Sequence, residues 1–243
     1  MRHFISALLV LALLLLSGCA AASDGGTTAE PQLEYPTVSP APASTQPSEP
    51  EETFLSDDRL CVRRVGRYSG LNPEGGSDES VENVVALLVE NVSDQACQFC
   101  TIVYEINGET ATFQLSELPA GKSAWVLESA GMTAQSDPTC VYQTCTAAFR
   151  DTSDAWLDGV TAVGANGELT VTNGSETDYP LVAVYYKLTY GTDVYLGGIA
   201  YRVTVSDLKA GESQTLPAGH FYEGACELVG IYADGAPQDV NGS

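Results

Sequence analysis

Histidine is almost missing from this chain: His3 and His220 are the only two in 243 residues. Only His220 follows the N-terminal apolar run, so a multi-histidine metal site is excluded. A Ser-His-Asp or Cys-His arrangement would have to be built on that one residue, and no Gly-x-Ser-x-Gly elbow accompanies it. Basic residues are scarce as well. Nine Lys and Arg against all 32 Asp and Glu follow residue 18, and the whole chain carries a formal charge of −22. Such an acidic balance disfavours nucleic acid and anionic polymers as partners. Beyond residue 19 there is no apolar segment of membrane-spanning length and no sustained helical periodicity. Residues 81–88 are the one stretch where a helix competes with a strand.

What is present begins with an address. Arg2 and His3 precede an apolar run over residues 4–16, broken only by Ser6. Thirteen residues suit the central region of an export signal and fall short of the ~20 that a spanning helix needs. The run leads into Leu16-Ser17-Gly18-Cys19, an aliphatic residue and two small ones before cysteine. This resembles the lipobox of bacterial lipoproteins. The resemblance implies cleavage before Cys19, lipidation of its thiol and an extracytoplasmic protein held to the membrane at the cell surface by that lipid. Two acyl chains suffice for stable attachment. The plainer alternative is an ordinary secretory signal with Cys19 as a spare thiol.

Residues 19–56 form the expected lipidated linker. Six of the chain's twelve prolines lie here among Ser, Thr, Glu and Ala, with few large apolar residues. Such a segment buries too little surface to offset its conformational entropy and is expected to be disordered.

From about residue 57 the texture changes to short alternating runs between Gly, Asn, Asp and Pro. Ile102, Tyr104 and Ile106 alternate with polar positions, Asn107-Gly108 follows, and Ala111, Phe113 and Leu115 alternate again. Asn-Gly between such runs is the strongest short hairpin signal, because both residues tolerate positive φ. Val182, Val184, Tyr186 and Leu188, a turn at Tyr190-Gly191-Thr192-Asp193, and then Tyr201, Val203 and Val205 repeat the grammar.

The recurrence is an internal repeat. The eleven residues from Phe113 to Ser123 align with those from Val203 to Ser213, with five identities, and Val89-Glu90-Asn91 aligns with Val171-Thr172-Asn173. The second copy carries eight more residues between these landmarks, which fits a longer hairpin. The expectation is an all-β protein: two tandem antiparallel sandwich units over residues 57–150 and 151–240. The asparagine-ended strand, the hairpin and the closing Leu-x-Ala-Gly-x-Ser turn resemble the immunoglobulin-like modules, FxLYD-type among them, of Gram-positive surface lipoproteins. The resemblance covers residues 82–128 and 167–233. Val184-Tyr185-Tyr186-Lys187 is only an approximate counterpart of the motif that names the family. One intertwined sandwich is the alternative to two.

Six cysteines follow Cys19: Cys61, Cys97, Cys100, Cys140, Cys145 and Cys226. An even number in an exported chain favours disulfides, with fifteen arrangements open. Reduced thiols and a zinc site from Cys97, Cys100, Cys140 and Cys145 are the competing readings. The Cys97-Gln98-Phe99-Cys100 motif runs into a strand, which disfavours thioredoxin-like chemistry, since that relies on a helix N-terminus.

Other motifs reduce to turns. Ala120-Gly121-Lys122-Ser123 has Ser116 where a phosphate-binding loop needs glycine, and the second copy puts Glu212 in the lysine's place. Ser206-Asp207-Leu208-Lys209 matches Ser-x-x-Lys without the companion motifs of penicillin-recognising enzymes. Asp151, Asp154 and Asp158 fail the ligand spacing of a calcium loop. Tyr185, Tyr190 and Tyr195 are the candidate ligand contacts, although strand tyrosines more often pack inward. These readings imply a non-enzymatic surface lipoprotein for extracellular interaction or scaffolding, with no cofactor and no nucleic acid. Its expected partners are the membrane, through its lipid, and an extracellular protein, peptide or glycan. A wall glycan- or peptide-binding accessory using the Tyr-rich hairpin is the alternative, and a carboxylate-based hydrolase comes third.

Overall fold

The computed structural model describes residues 52–75, 79–133, 138–165 and 167–233, all within the unit Tyr35–Ser243. The export signal, the Leu16-Ser17-Gly18-Cys19 motif and all but the end of the linker lie outside the described residues. No helix among the described residues is long and apolar enough to cross a membrane.

The protein is all-β. Its strands are β1 (Thr53–Leu55), β2 (Leu60–Leu71), β3 (Ser80–Asn91), β4 (Gln95–Ile106), β5 (Glu109–Leu118), β6 (Ser123–Leu127) and β7 (Cys140–Asp151). After a 3-10 turn at Thr152–Ala155 come β8 (Val160–Ala165), β9 (Glu168–Asn173), β10 (Tyr179–Thr189), β11 (Val194–Leu208), β12 (Ser213–Pro217) and β13 (Cys226–Ala233). The contested residues 81–88 lie in β3. Asn107 and Gly108 take φ of 54° and 85° and join β4 to β5 as a two-residue hairpin, as their chemistry requires.

Three sheets form: a seven-stranded one in the order β1-β2-β3-β6-β11-β10-β13, and two three-stranded ones, β5-β4-β7 and β12-β9-β8. The connectivity repeats. Within β2–β7, the first, second and fifth strands pair in one sheet, and the fourth, third and sixth in another. The strands β8–β13 obey the same order. The repeat reaches single residues. Glu117 and Asp207, equivalent in the alignment, both adopt left-handed φ near the ends of β5 and β11, at 48° and 52°.

The large sheet is a fusion of one sheet from each half. Val194, Tyr195 and Leu196 of β11 run parallel to Ser123, Ala124 and Trp125 of β6. Those β11 residues belong to the eight-residue extension of the second copy. The extension is therefore more than a loop tip: it is the seam.

Two main cores flank this sheet. On one face Val85, Leu87, Ala183, Tyr185 and Tyr232 pack with Ile102, Tyr104, Phe113 and Leu115 of the β5-β4-β7 sheet. On the other, Val182, Val184, Tyr186 and Val205 pack with Leu169 and Val171 of the β12-β9-β8 sheet. Strand β10 is thus covered on both sides, and its residues 182 to 187 are buried without interruption. The alternation expected there exists in pointing direction but not in exposure, because both faces are interior.

Candidate functional site at the seam

A lysine lies inside this double-sided strand. Between Tyr186 and Leu188 the register of β10 against β11 slips, and β11 bulges out from Gly197 to Ala200. Lys187 lies opposite that bulge and is 1% exposed. Its amine donates to the Gly198 carbonyl at 2.5 Å and to the Ser116 carbonyl of β5 at 3.0 Å. The Tyr195 ring centroid is 6.0 Å away. Burial pulls the Lys187 pKa down to about 8, against the opposing fields of Glu74 and Glu117.

The bulge is held from several sides. Gly198 approaches β5 so closely that an added Cβ would sit 1.9 Å from the Gln114 carbonyl oxygen. The Ala200 amide donates to Ser116 Oγ at 2.9 Å. From the β2–β3 connection, Glu74 Oε1 accepts the Gly198 amide at 2.6 Å and the Ile199 amide at 3.3 Å. The Tyr201 hydroxyl donates to the Pro73 carbonyl.

A second charged group is buried nearby. Glu117 is 2% exposed, accepting from the Tyr232 hydroxyl at 2.6 Å and meeting Arg150 Nη2 at 3.4 Å. The Arg150 guanidinium lies 4.0 Å from the centroid of the Tyr232 ring. Burial pushes the Glu117 carboxyl above the usual range, with Tyr232 and Arg150 pulling it back. These residues tie β5 and β7 of the first half to β13 of the second. The arrangement fixes charge in place between the two halves.

Of the motif residues singled out in the sequence, Lys122 reaches this seam. Lys122 of the Ala-Gly-Lys-Ser turn pairs with Asp193 at 2.6 Å, joining the first copy's turn to the second copy's hairpin tip. Ser206 and Lys209 leave the end of β11, where Lys209 pairs with Asp178 at 3.3 Å. Asp151 accepts from Gln95 while Asp154 meets Ser153. His220 stacks on Tyr201 in the loop before β13, and its carbonyl accepts from the Cys226 thiol. Among the described residues no three His, Cys, Asp or Glu side chains are grouped to hold a metal ion.

Two of the three candidate ligand tyrosines face inward. Tyr185 packs edge-on to Tyr232, and Tyr195 is 1% exposed. The Glu227 carboxylate lies near the Tyr195 hydroxyl but outside hydrogen-bond geometry. Tyr190 is half-buried beside Tyr68, Trp125 and Leu196. Tyr185 and Tyr195 are thus buried, and Tyr190 is the one of the three that keeps partial exposure.

Cys61, Cys97 and Cys100 are buried, Cys140, Cys145 and Cys226 are half-buried, and no S–S bond joins any two of the six in this structure. Lys187, Glu117, Glu74 and Arg150 were not picked out by motif. The signal for Lys187 was its placement in the apolar run Val-Ala-Val-Tyr-Tyr-Lys-Leu, where a charge is out of place unless it is enclosed. Comparison with protein-family models, curated proteins and solved structures returns no match.

Proposed function

We propose that the chain is a non-enzymatic, lipid-anchored surface protein in which two immunoglobulin-like sandwich copies act as one stiff body for extracellular interaction or scaffolding. One observation carries the reading. The charged groups most suited to chemistry by burial, Lys187 and Glu117, are consumed in joining the halves. A shared seven-stranded sheet and a filled polar seam resist hinging between the copies, which suits presentation at a distance from the bilayer. The apolar run and the Leu16-Ser17-Gly18-Cys19 motif supply the anchor.

The test is metabolic labelling with a fatty acid in the native host, combined with protease added to intact cells. Label on the wild-type chain, its loss in Cys19→Ala and cleavage of the wild type from outside are expected. An unlabelled chain shielded inside cells would overturn the reading.

A further inference from the structure

Strand β4 carries an irregularity that changes what its cysteines can do. Residues three apart on a regular strand point to opposite faces. Here the register against β7 slips between Cys97 and Phe99, and both Cys97 and Cys100 turn into the same core. On the neighbouring edge strand β7, Cys145 pairs with Ile102, one inward step along from Cys100 and its partner Ala147. The Sγ atoms of Cys100 and Cys145 lie 3.4 Å apart.

We propose that Cys100 and Cys145 are the chain's oxidisable pair, closing a disulfide that fastens edge strand β7 to β4. The sulfurs need approach by only about 1.4 Å to reach bonding distance. Cys97 is the weaker partner for Cys100. Its thiol also meets that of Cys100, but α-carbons three apart on one strand, at a rise of about 3.3 Å per residue, stand farther apart than a disulfide normally spans, and the bulge shortens this only in part.

The two thiols are unequal. Cys145 is half-exposed on an edge strand and Cys100 is fully buried. Their mutual hydrogen bond holds the Cys145 pKa below, and the Cys100 pKa above, the ordinary thiol value. The oxidant is a disulfide, either a small molecule or an exchange protein. The Cys145 thiolate attacks one oxidant sulfur and the other leaves as a thiolate. Cys100 gives its proton to that leaving group, attacks Cys145 Sγ and expels the second oxidant sulfur. Two protein thiols lose two electrons, and one oxidant disulfide becomes two thiols. The pairing is a property of the fold and does not depend on the cellular address.

The experiment uses the processed full-length chain, reduced and then exposed to excess oxidised glutathione. It is unfolded in alkylating reagent and digested with trypsin and chymotrypsin. Phe99 separates Cys97 from Cys100, and Tyr142 separates Cys140 from Cys145, so every linkage is distinguishable. The expected result is two fewer alkylatable thiols, a mass lower by about 2 Da, and one linked peptide joining Cys100 to Cys145. That linkage should persist in Cys97→Ala and vanish in Cys145→Ser. Full alkylation, a lasting glutathione adduct on Cys145, or a linkage through Cys97 or Cys140 would overturn the assignment. The same digest on chain taken from intact cells reports separately on the compartment. A reduced pair there, beside a bond formed in vitro, counts against the extracytoplasmic reading and not against the pairing.

Discussion

Asn91 and Asn173 end equivalent strands of the two halves and make the same hydrogen bonds. Asn91 Nδ2 donates to the carbonyls of Gln95 and Leu118, and Asn173 Nδ2 to those of Thr177 and Leu208. Each Oδ1 accepts from the amide and hydroxyl of the serine two residues on, Ser93 or Ser175. Each backbone carbonyl accepts from the glycine of the Ala-Gly turn, Gly121 or Gly211. Both side chains are fully buried.

That equivalence predicts matched costs. Asn91→Ala and Asn173→Ala each strand one buried carbonyl, that of Leu118 or Leu208, and release the serine turn, for a loss of about 2–4 kcal/mol. Asp is no substitute at either place, because it cannot donate. Denaturant midpoints for the four single variants check this. A large cost at one site and none at the other would contradict the shared role.

Lys187 predicts a pH signature. Below about pH 8 both folded and unfolded chains hold its proton. Between there and 10.5, its ordinary value, the unfolded chain retains a proton that the folded chain has released. Stability contributed at this site therefore rises with pH across that window. The stability of wild type relative to Lys187→Met should climb by roughly 2–3 kcal/mol from about pH 7.5 to 10. Chemical denaturation of both proteins along the series measures it, and tyrosine titrations common to both cancel.

Glu117 responds in the opposite sense. Its folded pKa is raised, so its contribution falls as pH climbs from the unfolded carboxylate value through the folded one. Arg150→Ala removes the guanidinium that opposes this. The variant should lose about 3 kcal/mol near neutrality and recover part of that loss below pH 4.5, the ordinary carboxyl value, where the raised pKa leaves the group protonated. Melting temperatures at the two pH values decide it.

Glycines at the seam and at the first hairpin should differ sharply. Gly198→Ala drives a Cβ into the Gln114 backbone, whereas Gly108→Ala meets open space and suffers only the strain of its φ of 85°. The first should cost more than 3 kcal/mol or abolish folding, and the second about 1 kcal/mol. Soluble yield and denaturant midpoints of the two variants make the comparison.

What the sequence revealed follows physical range. The Asn107-Gly108 hairpin, the turn at Tyr190-Gly191-Thr192-Asp193 and the Leu-x-Ala-Gly-x-Ser repeat are written in local turn chemistry, so they could be read. The eight-residue extension was legible as added hairpin length. Its pairing with β6 was not, because a parallel contact between Ser123 and Val194 leaves no nearby pattern. Covering β10 on both faces erased the usual exposure contrast, and Tyr185 and Lys187 therefore gave no sign of which interior they faced. Cys100 and Cys145 could not be matched from spacing, since the bulge that turns both Cys97 and Cys100 inward is a property of the register.

The parallel seam also sets an order of events during synthesis. Strand β6 is made early, yet its partner in β11 arrives about 70 residues later, so the first half must wait with one sheet edge and part of its core uncovered. Contacts so distant along the chain form slowly and leave sticky intermediates. A chain threaded outward from its N-terminus would thus mature only after nearly all of it had emerged, and truncation anywhere before Leu196 would strand the earlier half as well as the later one.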